Sequence, residues 1–193
     1  LSDVSRVDAD VLVIPVAEGV LAKQRSFALL DQALGGAVAR LAVTEEFQGK
    51  AEQTLELVTL GKLRAPRVVL VGLGHRRGMD PAVLRSYAAV AARAANAAKA
   101  RSMGLELPDK AAGADLRHVA EGLVLGGYRF TRYLTGDRAP KQALDQVTVF
   151  RREGRATPTE RHALGVGVAV GGAVALARDA VNEPANELTP AAL

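Results

Sequence analysis

The chain has no cysteine and no tryptophan, and aromatic residues fill only 4% of its 193 positions. Without thiols there can be no disulfide, thiolate metal site or cysteine nucleophile, a composition that suits a reducing cytoplasm. The three histidines, His75, His118 and His162, lie far apart, and none sits in the paired helical spacing that holds zinc beside a glutamate. Ser2, Ser5, Ser26, Ser86 and Ser102 all lack the glycine pattern of a nucleophile elbow. The longest uncharged apolar run, Ala163 to Ala177, is shorter than the roughly 20 residues of a membrane span, and with its glycines it reads as a buried helix. The start shows neither an initiator methionine nor a secretory pattern, so we expect a trimmed, cytoplasmic protein. These residues contain no self-sufficient catalytic constellation.

What is present is a chain 49% hydrophobic and 24% charged, dominated by alanine, valine, leucine and glycine. At this length a single core can bury roughly 70% of the unfolded surface without a metal or disulfide. Small and branched side chains of this kind pack helices closely onto a sheet. The net charge is +4 with no dense lysine or arginine run, which we read as a mild surplus rather than a polyanion-binding surface.

Ala9 to Val16 reads as a buried strand, and Ser26 as the cap of one helix carrying Phe27, Leu30, Leu34, Val38 and Leu41 on its apolar face. Leu55 to Leu60 and Arg67 to Leu73 read as strands that pair around the Leu63–Pro66 turn. Asp80 and Pro81 open a helix that runs to about Lys99. Met103 to Leu107 reads as a strand, Asp115 to about Tyr133 as a helix, and Gln146 to Phe150 as a strand. Thr157-Pro158-Thr159-Glu160 is a capping box with a first-turn proline, opening a long helix to about Asn182. Strands alternating with helices, the strands branched and continuously apolar, indicate an α/β fold with a parallel or mixed sheet.

Several clusters have two readings. Gly72-Leu73-Gly74-His75-Arg76-Arg77-Gly78 lies between a strand and a helix, where a phosphate loop would sit, but its spacing fits neither nucleotide fingerprint. We read a structural turn; the alternative is an anion or nucleic-acid contact made by His75, Arg76 and Arg77. Asp8 and Asp10 read as turn residues rather than an acid/base pair. Gly165, Gly167, Gly171 and Gly172 weaken the long helix by about 1 kcal/mol each relative to alanine, which suggests close approach of another backbone, with Gly126 and Gly127 as the expected partners. Phe130 and Tyr133 share a helical face with Leu123 and are expected in the core, with Arg129 and Arg132 at its rim. Arg64, Arg67, Arg151, Arg152 and Arg155, joined to Arg76 and Arg77, would bind nucleic acid if the fold gathered them.

Four segments carry a resemblance. They are Glu46-Phe47-Gln48-Gly49-Lys50; Val69 through Gly74; Ala120-Glu121-Gly122-Leu123 through Tyr128-Arg129-Phe130-Thr131-Arg132-Tyr133; and Arg178-Asp179-Ala180-Val181-Asn182-Glu183-Pro184-Ala185-Asn186 with Leu188-Thr189-Pro190. In order and spacing they resemble the leucyl (cytosol) aminopeptidase family. The resemblance implies a three-layer, macro-domain-like mixed sheet flanked by helices over residues 1–155, an interdomain helix over 156–184, and the start of a catalytic domain at 185–193. It also implies a parent that is a homohexameric peptidase with two divalent metal ions, manganese or zinc, in that catalytic domain. The family's catalytic signature Asn-Thr-Asp-Ala-Glu-Gly-Arg-Leu does not occur here, so no catalytic or metal-binding residue carries over and this piece is expected to be inactive alone. Thr189-Pro190 also opens a helix with only three residues left, so we expect the front portion of a larger protein. The macro-like reading raises an alternative, ADP-ribose or nucleotide binding. However, Val13-Ile14-Pro15-Val16-Ala17-Glu18-Gly19 stands where such domains place an asparagine-rich turn, and Glu18 would repel phosphate.

Overall fold

A computed structural model describes residues 7–75, 80–109, 111–140, 142–184 and 187. The strands are β1 (Val11–Ala17), β2 (Thr54–Val58), β3 (Arg67–Gly74), β4 (Ser102–Glu106) and β5 (Gln146–Phe150). They form one sheet in the order β2-β3-β1-β4-β5, parallel except for β2, which pairs antiparallel with β3 around the expected turn. The helices are α1 (Arg25–Ala33), α2 (Ala37–Thr44), α3 (Pro81–Ala97), α4 (Leu116–Gly127) and α5 (Pro158–Asn182). The α/β expectation holds, as a mixed five-stranded sheet flanked by helices and followed by a long helix.

Both faces of β1 and β3 are covered, which explains their nearly unbroken apolar composition. Val11, Val13, Val69 and Val71 face α3 and α4, while Leu12, Ile14, Val68 and Leu70 face α1 and α2. Asp80 caps α3 by accepting a hydrogen bond from the Ala82 amide, with Pro81 at the first helical position. The Thr157–Glu160 capping box that opens α5 is complete in both directions. Asp10 accepts the Arg101 and Ser102 amides, and so serves as the turn residue its position suggested.

Four expectations need correction. The first helix is two, because Gly35 and Gly36 both take positive φ and turn α2 away from α1 by 108°. Ser26 is therefore not the cap: it lies in the first turn of α1, and its hydroxyl donates to Glu106. α4 stops at Gly127, where Tyr128 turns extended, so Phe130 and Tyr133 leave the helical face and Tyr133 is 48% exposed. The glycine pairing also differs. A Cβ on Gly167 would stand 2.2 Å from the Arg117 carbonyl oxygen and one on Gly171 2.8 Å from Val124, so these two do bring α5 against α4. Gly126 instead faces α3, 2.4 Å from the Ala89 backbone, as does Gly122 against Arg85; Gly165 and Gly172 meet nothing.

The fourth correction concerns α5 itself. Only Glu160, Ala163, Gly167 and Gly171 are buried, while Val168, Val170, Val174, Leu176 and Val181 are exposed. By length and composition alone this helix could cross a membrane. Within the chain it forms an outer layer, resting on α4 by its glycine face.

Candidate functional site at the carboxyl edge of the sheet

In sheets of this kind ligands enter outside the carboxyl ends of the strands, where the chain reverses its order of strand addition. From β1 the chain adds β3 on one side and then returns past β1 to place β4 on the other. The crevice therefore lies beyond Ala17 of β1 and Glu106 of β4.

Ion pairs occupy that crevice. Glu106 is only 2% exposed and accepts a hydrogen bond from Ser26 Oγ at 2.5 Å, with Arg152 Nε at 3.2 Å. Burial pushes its carboxyl above the usual range, and among the described residues its Oε2 has no hydrogen-bond partner. Arg152 also pairs with Asp109, Arg25 with Glu153 at 2.9 Å, and Arg151 with Glu160. The Glu160 carboxyl falls to about 2, first because it accepts the Thr157 amide and then because of Arg151. A polar cavity of about 260 Å³ remains between Arg25, Asp109, Arg151, Arg152 and Glu153. Among the described residues its guanidinium groups are matched by carboxylates, which leaves no unpaired guanidinium there to cradle a pyrophosphate.

The glycine turn is built by backbone contact. A Cβ at Gly72 would lie 1.9 Å from the Lys50 carbonyl oxygen, and the Gly74 amide donates to the Gly49 carbonyl at 3.0 Å. The Glu18 amide donates to the Gly74 carbonyl at 3.0 Å. Two of the segments that carried the family resemblance thus lie against each other. His75 is exposed, 3.6 Å from the Glu18 carboxylate; Arg76 and Arg77 lie outside the described residues.

The structure does not gather the remaining arginines. Arg64 and Arg67 sit at the amino end of β3, Arg67 paired with Glu56, whereas Arg151, Arg152 and Arg155 follow the carboxyl end of β5 at the opposite edge. His118 joins Arg85 and Glu121 between α3 and α4. Arg85 donates twice to Glu121 Oε2, at 3.0 and 2.8 Å, and His118 Nδ1 lies 3.0 Å from Arg85 and 3.3 Å from Glu121. Burial raises the Glu121 carboxyl, but these partners outweigh it and the net shift is downward. Among the described residues no three of His, Asp and Glu are grouped as a metal would require.

The remaining two resemblance segments also meet, at the far end of α5. Arg132 donates to Glu183 Oε1 at 2.6 Å and Tyr133 donates to Oε2 of the same carboxylate. Tyr128 donates to Asp179 at 2.8 Å, and the Arg178 guanidinium lies 4.3 Å from the centre of the Tyr128 ring. Sequence reading missed both this contact and the Glu106 cluster. The only signal for Glu106 was a carboxylate closing a strand that is otherwise buried.

The family profile described as "Cytosol aminopeptidase family, N-terminal domain" matches residues 13–137. The chain belongs to the cytosol aminopeptidase family, as its N-terminal domain. It is 38% identical over 172 residues to a probable cytosol aminopeptidase of Geobacter sp. (strain M21), covering 86% of this chain and 34% of that protein. Among solved structures, a mutant tomato leucine aminopeptidase superposes with a TM-score of 0.81 at 27% identity, over 96% of this chain and 38% of that one. The bottromycin maturation enzyme BotP, solved in complex with Mn, gives 0.69 at 33% identity, over 95% and 34%. The chain spans about a third of the length of the relatives it matches.

Proposed function

We propose that this chain is the structural and assembly portion of a metal-dependent leucyl aminopeptidase, and that residues beyond it cleave the first peptide bond of peptide substrates. The observation that carries this reading is the coverage: a domain match over 125 residues, in a chain equal to about a third of each relative. On this reading residues 1–155 form the domain, 156–184 the connecting helix, and 185–193 the entry to the catalytic portion. Two divalent ions, manganese or zinc, would belong to that portion, where paired metals activate water and stabilise the departing group. No residue of this chain is assigned to hold them. The exposed apolar side of α5 would be covered by the catalytic portion rather than by lipid, and the assembled protein would be a cytoplasmic homohexamer.

The test is hydrolysis of leucine anilide with added manganese or zinc. We expect none from this chain and metal-dependent turnover from the longer polypeptide; turnover by the pure chain would overturn the reading.

ADP-ribose and nucleic-acid binding are the competing readings. The charge-matched crevice and the Glu18 carboxylate beside His75 weigh against the first, and the division of the arginines between two edges against the second. Calorimetry with ADP-ribose and a mobility shift at low salt should both give no binding.

A further inference from the structure

We infer that Glu183 is an orienting pin: held at both carboxylate oxygens by Arg132 and Tyr133, it sets the direction in which the chain leaves α5. Glu183 is the residue at which the helix ends. Its amide still donates to the Asp179 carbonyl, yet its ψ of 137° turns the backbone out of the helix, and Pro184 follows. The change of direction and the pinned side chain thus belong to one residue. One donor on each oxygen restrains rotation of the carboxylate as well as its distance, as a single hydrogen bond would not.

The pin has a firm base. Arg132 and Tyr133 lie in the irregular segment just after α4, and Tyr128, at the start of that segment, is bonded to Asp179 and Asn182 in the last turns of α5. The Glu183 side chain is 6% exposed although it stands at a helix end whose neighbours Val181 and Asn182 are open to solvent. Among the described residues no metal-binding group involves this segment. That the pinned exit positions a catalytic portion rests on the function proposed above; the pinning itself does not.

Because the chain has no cysteine, two introduced cysteines carry spin labels without competition. Labels at Arg93→Cys in α3 and Glu187→Cys beyond the pin should give a single narrow distance distribution. Glu183→Ala should broaden it severalfold, Glu183→Gln, which keeps one acceptor, should broaden it less, and Tyr133→Phe should resemble the Gln variant. Thermal melting should stay near wild type, because none of these residues belongs to the sheet core. If Glu183→Ala lowers melting, Tyr133→Phe and Glu183→Gln decide the matter. An unchanged distribution in all three variants would overturn the inference. Loss of anilide hydrolysis in the wild-type longer polypeptide would remove the aminopeptidase reading while leaving the distance result standing.

Discussion

Glu160 and Glu106 are both buried carboxylates near the carboxyl edge of the sheet, yet their environments push them in opposite directions. Glu160 falls to about 2 from an ordinary 4.5, so its ionised form stabilises the fold. That contribution is complete above about pH 4.5 and is lost as pH falls from there toward 2. Glu160→Gln should therefore flatten the stability profile between those values, as read by urea unfolding at stepped pH. Thr157→Ala, which removes the other half of the capping box, should cost about 1 kcal/mol at neutral pH in the same assay. Glu106 has the reverse sign. With its carboxyl raised, its contribution is full below the unfolded value and lost as pH rises through the folded one. Glu106→Gln should therefore compare better with wild type at pH 7 than at pH 4 in melting temperature. The capping box was readable because it is local, three residues apart. Glu106 was not, because Ser26 and Arg152 reach it from positions 80 residues before and 46 after.

At the scale of elements, the glycines divide into those that touch and those that do not. Gly167→Ala places a methyl 2.2 Å from a carbonyl oxygen and should destabilise by about 1 to 3 kcal/mol. Gly172→Ala, with nothing within 4 Å, should stabilise by about 0.5 to 1 kcal/mol through helix propensity alone. Denaturant midpoints of the two variants should move in opposite directions. Helical spacing announced that glycines here meant close packing, but it could not say which helix each one met. Gly126 faces α3 because α4 lies between α3 and α5, an order set by the sheet topology rather than by α4 itself. Strand positions were recoverable because both sheet faces are buried and β1 and β3, at the centre, are nearly continuous apolar runs rich in branched residues. The break between α1 and α2 was harder to see, since the apolar period continues through Gly35 and Gly36 and only their positive φ turns the chain.

For the molecule as a whole, the family was readable from four short segments, and the fold explains why they read together. Glu46–Lys50 lies against the end of β3, and the Tyr128–Tyr133 segment grips the end of α5. The exposure of α5 could not be read, because an apolar helix looks the same whether its cover lies within the chain or beyond it. Amide exchange should show the distinction: the second half of α5 should exchange faster in this chain than in a longer polypeptide that carries the proposed catalytic portion. Equal exchange in both would mean that nothing beyond this chain covers the helix.

α5 behaves as a beam on two bearings. One is the glycine seat at Gly167 and Gly171; the other is the grip on Glu183, roughly 24 Å beyond Gly167 at 1.5 Å per residue. Over that span a tilt of about 5° at the seat would swing the far end by ~2 Å. The outer bearing cancels that swing, so small strains in the sheet need not be magnified where the chain departs.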